Sequence, residues 1–260
     1  MVLHKGDQKG LPCLISIGFR VTKTKNLLAI IRLGVLDPRL MLLALKLKRD
    51  RRTYLSFSTL YSLASNSNRL YKQTRSTLEF AEFGVGRGGS ATLLAWFVNK
   101  YKGTLSLYDI FGRIPAPTSL DGERALDRYD VIIKQEGEDY YGNIENLLEV
   151  VKSDISKVCP LSRIDIIQGN YEEILPRLHD RREFNLVHID CDWYESSMAV
   201  YQYLRSRLKP GAIIQVDDYS NWEGSKRAFQ DAGWLNGYQA HIVDGALVVD
   251  TSKNKESVIT

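Results

Sequence analysis

The sequence has few cysteines, and their spacing fits neither a disulfide framework nor a thiolate metal site. Cys13, Cys159 and Cys191 are an odd number in a chain of 260 residues, and no C-x-x-C pair occurs. A disulfide-stapled fold is therefore excluded, and a zinc site built on paired thiolates is disfavoured. The same cysteine usage suits a reducing compartment, which predicts a cytoplasmic protein.

Long apolar runs are also missing, and acidic residues are scarce in one part of the chain. No apolar stretch of 18 residues lacks a charge, so no membrane span is predicted. Residues 1–53 hold twelve lysines and arginines against three acidic residues, whereas the remainder holds 23 against 28. A nucleic-acid-binding domain usually carries its basic surface on the domain itself. The mildly acidic remainder therefore argues against a nucleic-acid partner.

This charge difference coincides with a change in pattern near residue 52. Residues 1–52 are predicted to be a basic, leucine-rich N-terminal extension with helices at Asn26–Gly34 and Pro38–Lys48, serving as a lid or in oligomerisation. Residues 53–260 are predicted to be the main domain. There, short apolar runs alternate with helical segments, which is typical of a parallel sheet covered on both faces.

Seven strands are predicted in the main domain, and the last two form a hairpin through Asp244-Gly245. This hairpin makes one strand antiparallel at the edge of the sheet. Helices are predicted at Tyr141–Val158 and Glu195–Leu208, and residues 112–138 are predicted to be rich in loops. Ligands of such sheets bind at the carboxyl ends of the strands. The predicted strands are 78–83, 104–108, 164–168, 186–190, 212–216, 239–243 and 246–250.

A glycine-rich turn follows the first of these strands. Gly84, Gly86 and Gly89 satisfy G-x-G-x-x-G, a spacing that lets backbone N–H groups face a nucleotide-like cofactor. Asp109 ends the next strand and can accept the hydroxyl groups of a ribose. NAD and S-adenosylmethionine both use these features. The predicted cofactor-binding residues are Glu82, Gly84, Gly86, Gly88, Ser90, Asp109, Asn170 and Tyr171.

Two details favour S-adenosylmethionine over NAD. Glu82 lies just before the glycines, where a pyrophosphate would be repelled and the ammonium group of a methionine would be attracted. In addition, no tyrosine is followed by a lysine four residues later, so the Tyr-Lys pair of short-chain dehydrogenases is absent.

Carboxylates follow two further strands. Asp190 and Asp192 end one, and Asp217 and Asp218 end the other. Carboxylates this close raise one another's pKa, and a divalent cation removes that penalty. Oxygen ligands suit Mg²⁺, with Mn²⁺ or Ca²⁺ as alternatives. The predicted metal ligands are Asp190, Asp217 and Asp218. His188, two residues before Asp190, is interpreted as a core residue. Cys191, between Asp190 and Asp192, is interpreted as a small buried residue.

Five segments together resemble the macrocin O-methyltransferase family. They are EFGVGRGGSATLLA, YDIFGRIPAP, GNYEEILP, HIDCDWYESS and LKPGAIIQVDDYSNWEGSKRAF. The resemblance spans roughly residues 55–250. It implies a Rossmann-like class I methyltransferase fold, S-adenosylmethionine and Mg²⁺ as cofactors, and a sugar hydroxyl as acceptor. The chain departs from the family pattern at Gly86, where an aromatic residue is usual, and at Cys191, where glycine is common.

The expected reaction is methyl transfer to a hydroxyl group of a small molecule, within a homo-oligomer. Asp190 is predicted to be the general base as well as a metal ligand, with Asp192 as the reserve base. Residues 112–142 are predicted to form a lid or an acceptor-binding wall. Trp193 stands where related catechol O-methyltransferases have a lysine base, which argues against a catechol. The alternatives are a phenolic acceptor, a nicotinamide-dependent oxidoreductase and a non-enzymatic interaction module.

Overall fold

The computed structural model describes residues 13–74, 77–134 and 140–254, and its centre is one seven-stranded sheet. The strand order is β3-β2-β1-β4-β5-β7-β6. The first five strands pair in parallel, and β7 pairs antiparallel with both β5 and β6. The strands are β1 Glu79–Phe83, β2 Thr104–Asp109, β3 Ile164–Gln168, β4 Phe184–Ile189, β5 Leu208–Val216, β6 Tyr238–Val243 and β7 Ala246–Asn254.

Helices cover both faces of the sheet. They are α1 Cys13–Leu36, α2 Pro38–Arg49, α3 Phe57–Thr74, α4 Gly89–Tyr101, α5 Glu123–Lys134, α6 Leu147–Ser156, α7 Tyr171–Ile174, α8 Tyr194–Leu204 and α9 Glu223–Ala232. No helix within the described ranges has the length and apolarity that a membrane crossing requires.

This architecture confirms the predicted fold, with one difference in the order of the strands. The antiparallel strand β7 lies between β5 and β6, so the edge of the sheet is β6 rather than the antiparallel strand. Every residue of β4 is buried, because neighbouring strands and helices on both faces cover it, whereas β3 at the other edge is only partly buried. A largely apolar sequence in a central strand is the expected consequence, and the polar Asn185 and His188 of β4 are hydrogen-bonded.

The N-terminal helices pack on the main domain. Leu33 of α1 and Leu40 of α2 are fully buried and share one apolar cluster with Phe80 of β1. A second cluster, on the other face of the sheet, contains Val200 of α8 and Ala228 of α9. Burial of a leucine side chain contributes about 1.5–3 kcal/mol, so α1 and α2 gain much of their stability from this contact.

Polar contacts join the same N-terminal segment to α4. The Asp37 carboxylate accepts the Arg39 backbone N–H at the start of α2 and lies 3.4 Å from the Lys100 ammonium of α4. The carbonyl of Arg52 accepts the Gly89 N–H at 3.1 Å, and a Cβ on Gly89 would lie 2.6 Å from the Arg52 carbonyl oxygen. The chain therefore continues across the predicted boundary at residue 52 in direct contact with the start of α4.

Helix α1 is longer than predicted, and α5 was not predicted. Helix α1 begins at Cys13 rather than Asn26, and the first half of its sequence is rich in β-branched residues without helical periodicity, which concealed it. Helix α5 lies inside 112–138, and half of its twelve residues are charged. Its apolar residues recur at helical spacing, and Ala125 is fully buried, but the prolines at the start of residues 112–138 led to the prediction of loops for the whole segment.

Two predicted helices end differently in the structure. The helix predicted at Tyr141–Val158 is a turn followed by α6, separated by Asn146 in the left-handed conformation. The helix predicted at Glu195–Leu208 ends at Leu204, and β5 already begins at Leu208. A register shift between Phe184 and Leu186 of β4 accommodates the Pro-Gly pair within β5.

Candidate active site

The carboxyl ends of the central strands are joined by backbone hydrogen bonds one residue beyond the strands. The Asp190 N–H donates to the Phe83 carbonyl at 2.8 Å, and the Gly84 N–H donates to the Tyr108 carbonyl at 3.1 Å. These bonds hold the first residues after β1 and β4 side by side. The predicted site residues at these ends therefore share one edge of the sheet, as expected for parallel strands.

Gly84 allows this close approach. It has φ +89°, and a Cβ there would collide with the Asp190 carbonyl oxygen. Only glycine meets both conditions, because an L side chain is strained at this φ and also lacks space. The loop continues through Gly86 and Gly88, which have positive φ as well, and α4 begins at Gly89. Ser90, in the first turn of α4, is buried.

The Asp109 carboxylate anchors this glycine loop. One oxygen accepts the N–H groups of Val85 and Gly86 at 2.6 and 3.0 Å, and the other accepts the Phe111 N–H at 2.6 Å. Burial raises the pKa of Asp109, and the three N–H donors oppose that rise. The residue predicted to bind ribose therefore also organises the loop that begins the site.

A small cavity of about 50 Å³ lies beside Asp109. Asn170 and Tyr171, both predicted cofactor residues, line it together with Cys191. The Tyr171 hydroxyl donates to the Tyr108 carbonyl at 2.9 Å, so a hydrogen bond to β2 fixes the position of this ring. The walls thus offer a carboxylate, a side-chain amide and an aromatic ring, which suits a nucleoside.

A larger cavity of about 450 Å³ adjoins the small one. Its walls include the glycine loop from Gly84 to Arg87, Ser90 and the four aspartates that follow β4 and β5. Six residues border both cavities, so the two form one continuous cleft. They are Gly84, Ile114, Tyr141, Asp190, Asp192 and Trp193.

Three carboxylates converge in the larger cavity. One oxygen each from Asp190, Asp192 and Asp218 lies within 4.8 Å of the others. Burial raises the pKa of Asp190 and of Asp192 well above the usual range, and repulsion from Asp218 raises both further. An all-oxygen cluster of this kind can hold a hard divalent cation.

Asp217 lies outside this triad but lines the same cavity. Burial raises its pKa to about 7, against the opposing charge of His188. The sequence predicts Asp190, Asp217 and Asp218 as metal ligands. In the structure, the carboxylate that lies close to those of Asp190 and Asp218 belongs to Asp192 instead of Asp217. Asp192, predicted as the reserve base, is thus brought into direct proximity with Asp190.

Glu82 and His188 form a buried pair behind the strand ends. Their side chains are completely buried, and His188 Nδ1 lies 2.8 Å from Glu82 Oε1. The prediction that His188 is a core residue agrees with this burial. Glu82 does not line either cavity described above, so its predicted contact with a methionine ammonium stays a prediction.

Several cavity residues were not singled out from the sequence. Trp222 packs edge-to-face against Trp193 with ring centroids 5.3 Å apart. Tyr141, by contrast, was named from the sequence as part of the predicted lid, and its ring lies beside Gly86. Three arginines from separate parts of the chain also line the larger cavity: Arg52, Arg87 and Arg128. An isolated arginine or tryptophan carries no sequence signal for a site until the fold brings several together.

Comparison with solved structures supports the fold. The O-methyltransferase NovP aligns with a TM-score of 0.65 at 18% identity, covering 78% of this chain and 83% of NovP. The calicheamicin methyltransferase CalS11 aligns with a TM-score of 0.59 at 18% identity, covering 95% of this chain and 99% of CalS11. A methyltransferase of Podospora anserina, solved with S-adenosylhomocysteine bound, aligns with a TM-score of 0.54 at 11% identity, covering 96% of this chain and all of the other.

No curated protein sequence matches the chain. The sequence profile of the macrocin-O-methyltransferase family, however, matches residues 73–244, which include every candidate residue at the strand ends. The architecture of the sheet and the cleft at its carboxyl edge agree with that match. The chain belongs to the macrocin-O-methyltransferase family, and it is an S-adenosylmethionine-dependent O-methyltransferase.

Proposed function

We propose that this enzyme methylates a sugar hydroxyl of a glycosylated small molecule, with a divalent cation held by Asp190, Asp192 and Asp218. The observation that carries the proposal is the carboxylate triad, which shares one cavity with the glycine loop. The resemblance to enzymes that methylate sugar hydroxyls supports the acceptor class. Aromatic rings in the cavity, such as those of Tyr54 and Trp222, offer flat apolar faces for a sugar ring.

The methyl donor occupies both cavities in this proposal. Its adenosine lies in the small cavity near Asp109, Asn170 and Tyr171, and its methionine part follows the glycine loop toward Ser90. The six residues that border both cavities support this placement, because they make the two cavities one continuous cleft that a single extended molecule could span. The rest of the larger cavity is then left for the acceptor.

The chemistry of the triad fits Mg²⁺, with Mn²⁺ or Ca²⁺ as alternatives. Its donors are all carboxylate oxygens, and no lysine or arginine makes an ion pair with them within the described part of the chain. Burial and mutual repulsion are therefore only partly offset, by the charge of Arg128 acting on Asp192, and a hard cation would remove both costs. When bound, such a cation lowers the pKa of a hydroxyl group and orients it.

The chain's own residues position the acceptor and take its proton. The acceptor hydroxyl oxygen forms a bond to the methyl carbon while the carbon–sulfur bond breaks and its electron pair stays on sulfur. Asp190 accepts the hydroxyl proton, and Asp192 is adjacent as the reserve base. The products are a methyl ether and S-adenosylhomocysteine. Trp193 and Ile114 exclude water from one side of the junction.

A phenolic acceptor is the second candidate, since aromatic walls would also bind a phenol. Family membership speaks against the nicotinamide-dependent oxidoreductase and the non-enzymatic module. The location of the metal ligands, the lid role of residues 112–142, the homo-oligomer and the cytoplasmic location stay predictions.

The test combines calorimetry with mass spectrometry. Asp218→Asn should lose the Mg²⁺ signal in a calorimetric titration and still bind S-adenosylmethionine, because Asp218 lies in the acceptor cavity only. Asp165→Asn is the matched control, since this exposed carboxylate on β3 pairs with Arg182 and does not line the cavity. With a panel of glycosides, the wild type should form a product heavier by one methylene group, and chelation of Mg²⁺ should abolish it. Undiminished methyl transfer in the presence of chelator would contradict the metal role.

A further inference from the structure

The larger cavity has a basic wall as well as an acidic one. Arg52 follows α2, Arg87 lies in the glycine loop and Arg128 lies on α5, and all three line the cavity that contains the carboxylate triad. These arginines come from three separate elements. An enzyme for neutral sugars has no evident need for guanidinium groups there.

Two of these arginines are held by the protein itself. Arg52 Nε lies 2.9 Å from the Asp154 carboxylate. Arg87 donates to the Arg51 carbonyl at 3.2 Å and lies over the Tyr54 ring. Their guanidinium groups shape the rim of the cavity, and their charges are partly engaged.

Arg128 is different. No hydrogen bond or ion pair involves its side chain in the described part of the structure, although it lines the cavity and its charge acts on Asp192. Arg128 is exposed, and a solvated arginine at a cavity rim can reorient without breaking a contact. Its five N–H donors are therefore available to a ligand.

Loading the site weakens the attraction between the triad and Arg128. The proposed divalent cation and the net single positive charge of S-adenosylmethionine together match the three carboxylates of the triad, including Asp192, on which the Arg128 charge acts. Glu82 already pairs with His188, so Asp217 keeps its own charge in the cavity, but no described carboxylate forms an ion pair with Arg128. An anionic group on the acceptor would give the Arg128 guanidinium group such a partner.

The geometry supports one arrangement of such an acceptor. Trp193 and Trp222 line the same cavity, pack edge-to-face against each other and offer aromatic surface to a sugar. A guanidinium group binds phosphate and carboxylate oxygens through paired N–H donors, with planar specificity. We propose that the acceptor is an anionic saccharide, whose phosphate or carboxylate group is bound by Arg128 while its hydroxyl faces the triad. This inference rests on the proposed sugar methylation and narrows its substrate class.

The test measures binding to the protein loaded with S-adenosylhomocysteine and Mg²⁺. Four probes distinguish the sources of the anion: glucose 1-phosphate, UDP-glucose, methyl glucuronide and, as the neutral reference, methyl glucoside. At least one anionic probe should bind tenfold or more tightly than methyl glucoside, and added salt should weaken that binding alone. Arg128→Gln should abolish the preference. Arg205→Gln is the matched control, because Arg205 is exposed at the end of α8 and does not line the cavity.

Turnover separates this inference from the proposed function. With any anionic saccharide that is methylated, Arg128→Gln should raise KM at least tenfold and change kcat little, because Arg128 binds the acceptor away from the reacting oxygen. Equal binding of neutral and anionic probes, binding of none of the anionic probes, or a preference that survives in Arg128→Gln overturns the inference. Methylation of phenols but of no saccharide, charged or neutral, overturns the proposed function instead.

Discussion

Replacing Asp109 by asparagine tests whether this residue organises the glycine loop. The carboxylate accepts three backbone N–H groups, two on one oxygen and one on the other. An asparagine amide has one oxygen and one NH₂ group. In one orientation Phe111 loses its acceptor, and in the other both Val85 and Gly86 lose theirs. At least one of the three backbone N–H groups therefore faces the NH₂ group of the asparagine and has no acceptor.

The expected cost follows from that count. An unsatisfied buried donor costs about 1–3 kcal/mol, so Asp109→Asn should destabilise the fold by at least this amount in its better orientation. For a chain of this size the melting temperature should fall by roughly 2–12 °C. Burial raises the pKa of Asp109 and so disfavours its charged form, and the loss is therefore expected from the unmatched N–H group rather than from the missing charge.

Thermal unfolding and calorimetric titration of S-adenosylmethionine are measured on the same variants. Asp165→Asn provides the control, because its carboxylate is 56% exposed and pairs with Arg182 on the surface. That change should alter stability by no more than about 0.5 kcal/mol. Asp109→Asn should lose both stability and cofactor affinity. An unchanged melting temperature together with weaker binding would refute the anchoring role and leave Asp109 as a ribose ligand only.

Three further predictions concern the loop, the N-terminal helices and the thiols. Gly84→Ala should abolish S-adenosylmethionine binding in calorimetry, because its Cβ would collide with a carbonyl after β4, and retained affinity would contradict this. Leu40→Ala should destabilise the protein by about 2–5 kcal/mol in denaturant unfolding, whereas Leu42→Ala, at an exposed position of the same helix, should change it little; equal effects would refute the packing of α2. A maleimide should label Cys159 and Cys191 only after denaturation, since both thiols are buried and burial raises their pKa values, and fast native labelling in peptide mapping would count against this.

The sheet could be predicted from the sequence because its strands are short apolar runs that end in glycine or aspartate. Those ends meet at one edge in any parallel sheet, so Asp109, Asp190 and Asp218 were predictable as neighbours. The order of the last two strands was harder to predict. A hairpin signal indicates that β6 pairs with β7, but it does not indicate which of the two pairs with β5.

Side-chain roles within the site were harder to predict than its location. The sequence cannot show that Asp109 accepts three backbone N–H groups, since that depends on how the glycine loop turns back over β2. It also cannot rank Asp192 against Asp217 as metal ligands, because the turn after each strand decides the direction of the side chain. Arg128 lies on α5, which was not predicted because the prolines at the start of residues 112–138 favoured loops over the amphipathic spacing that follows them.

The contact between Arg52 and Gly89 makes the N-terminal segment a reporter for the cofactor loop. The bond joins the chain just after α2 to the residue where α4 begins, immediately beyond the glycine loop. Arg49, the last residue of α2, and Arg51, in the turn that follows, are exposed trypsin cleavage sites next to it in the sequence. A ligand that tightens the loop should slow cleavage there, so the occupancy of the cleft can be read from the digestion rate of a segment that does not itself carry the chemistry.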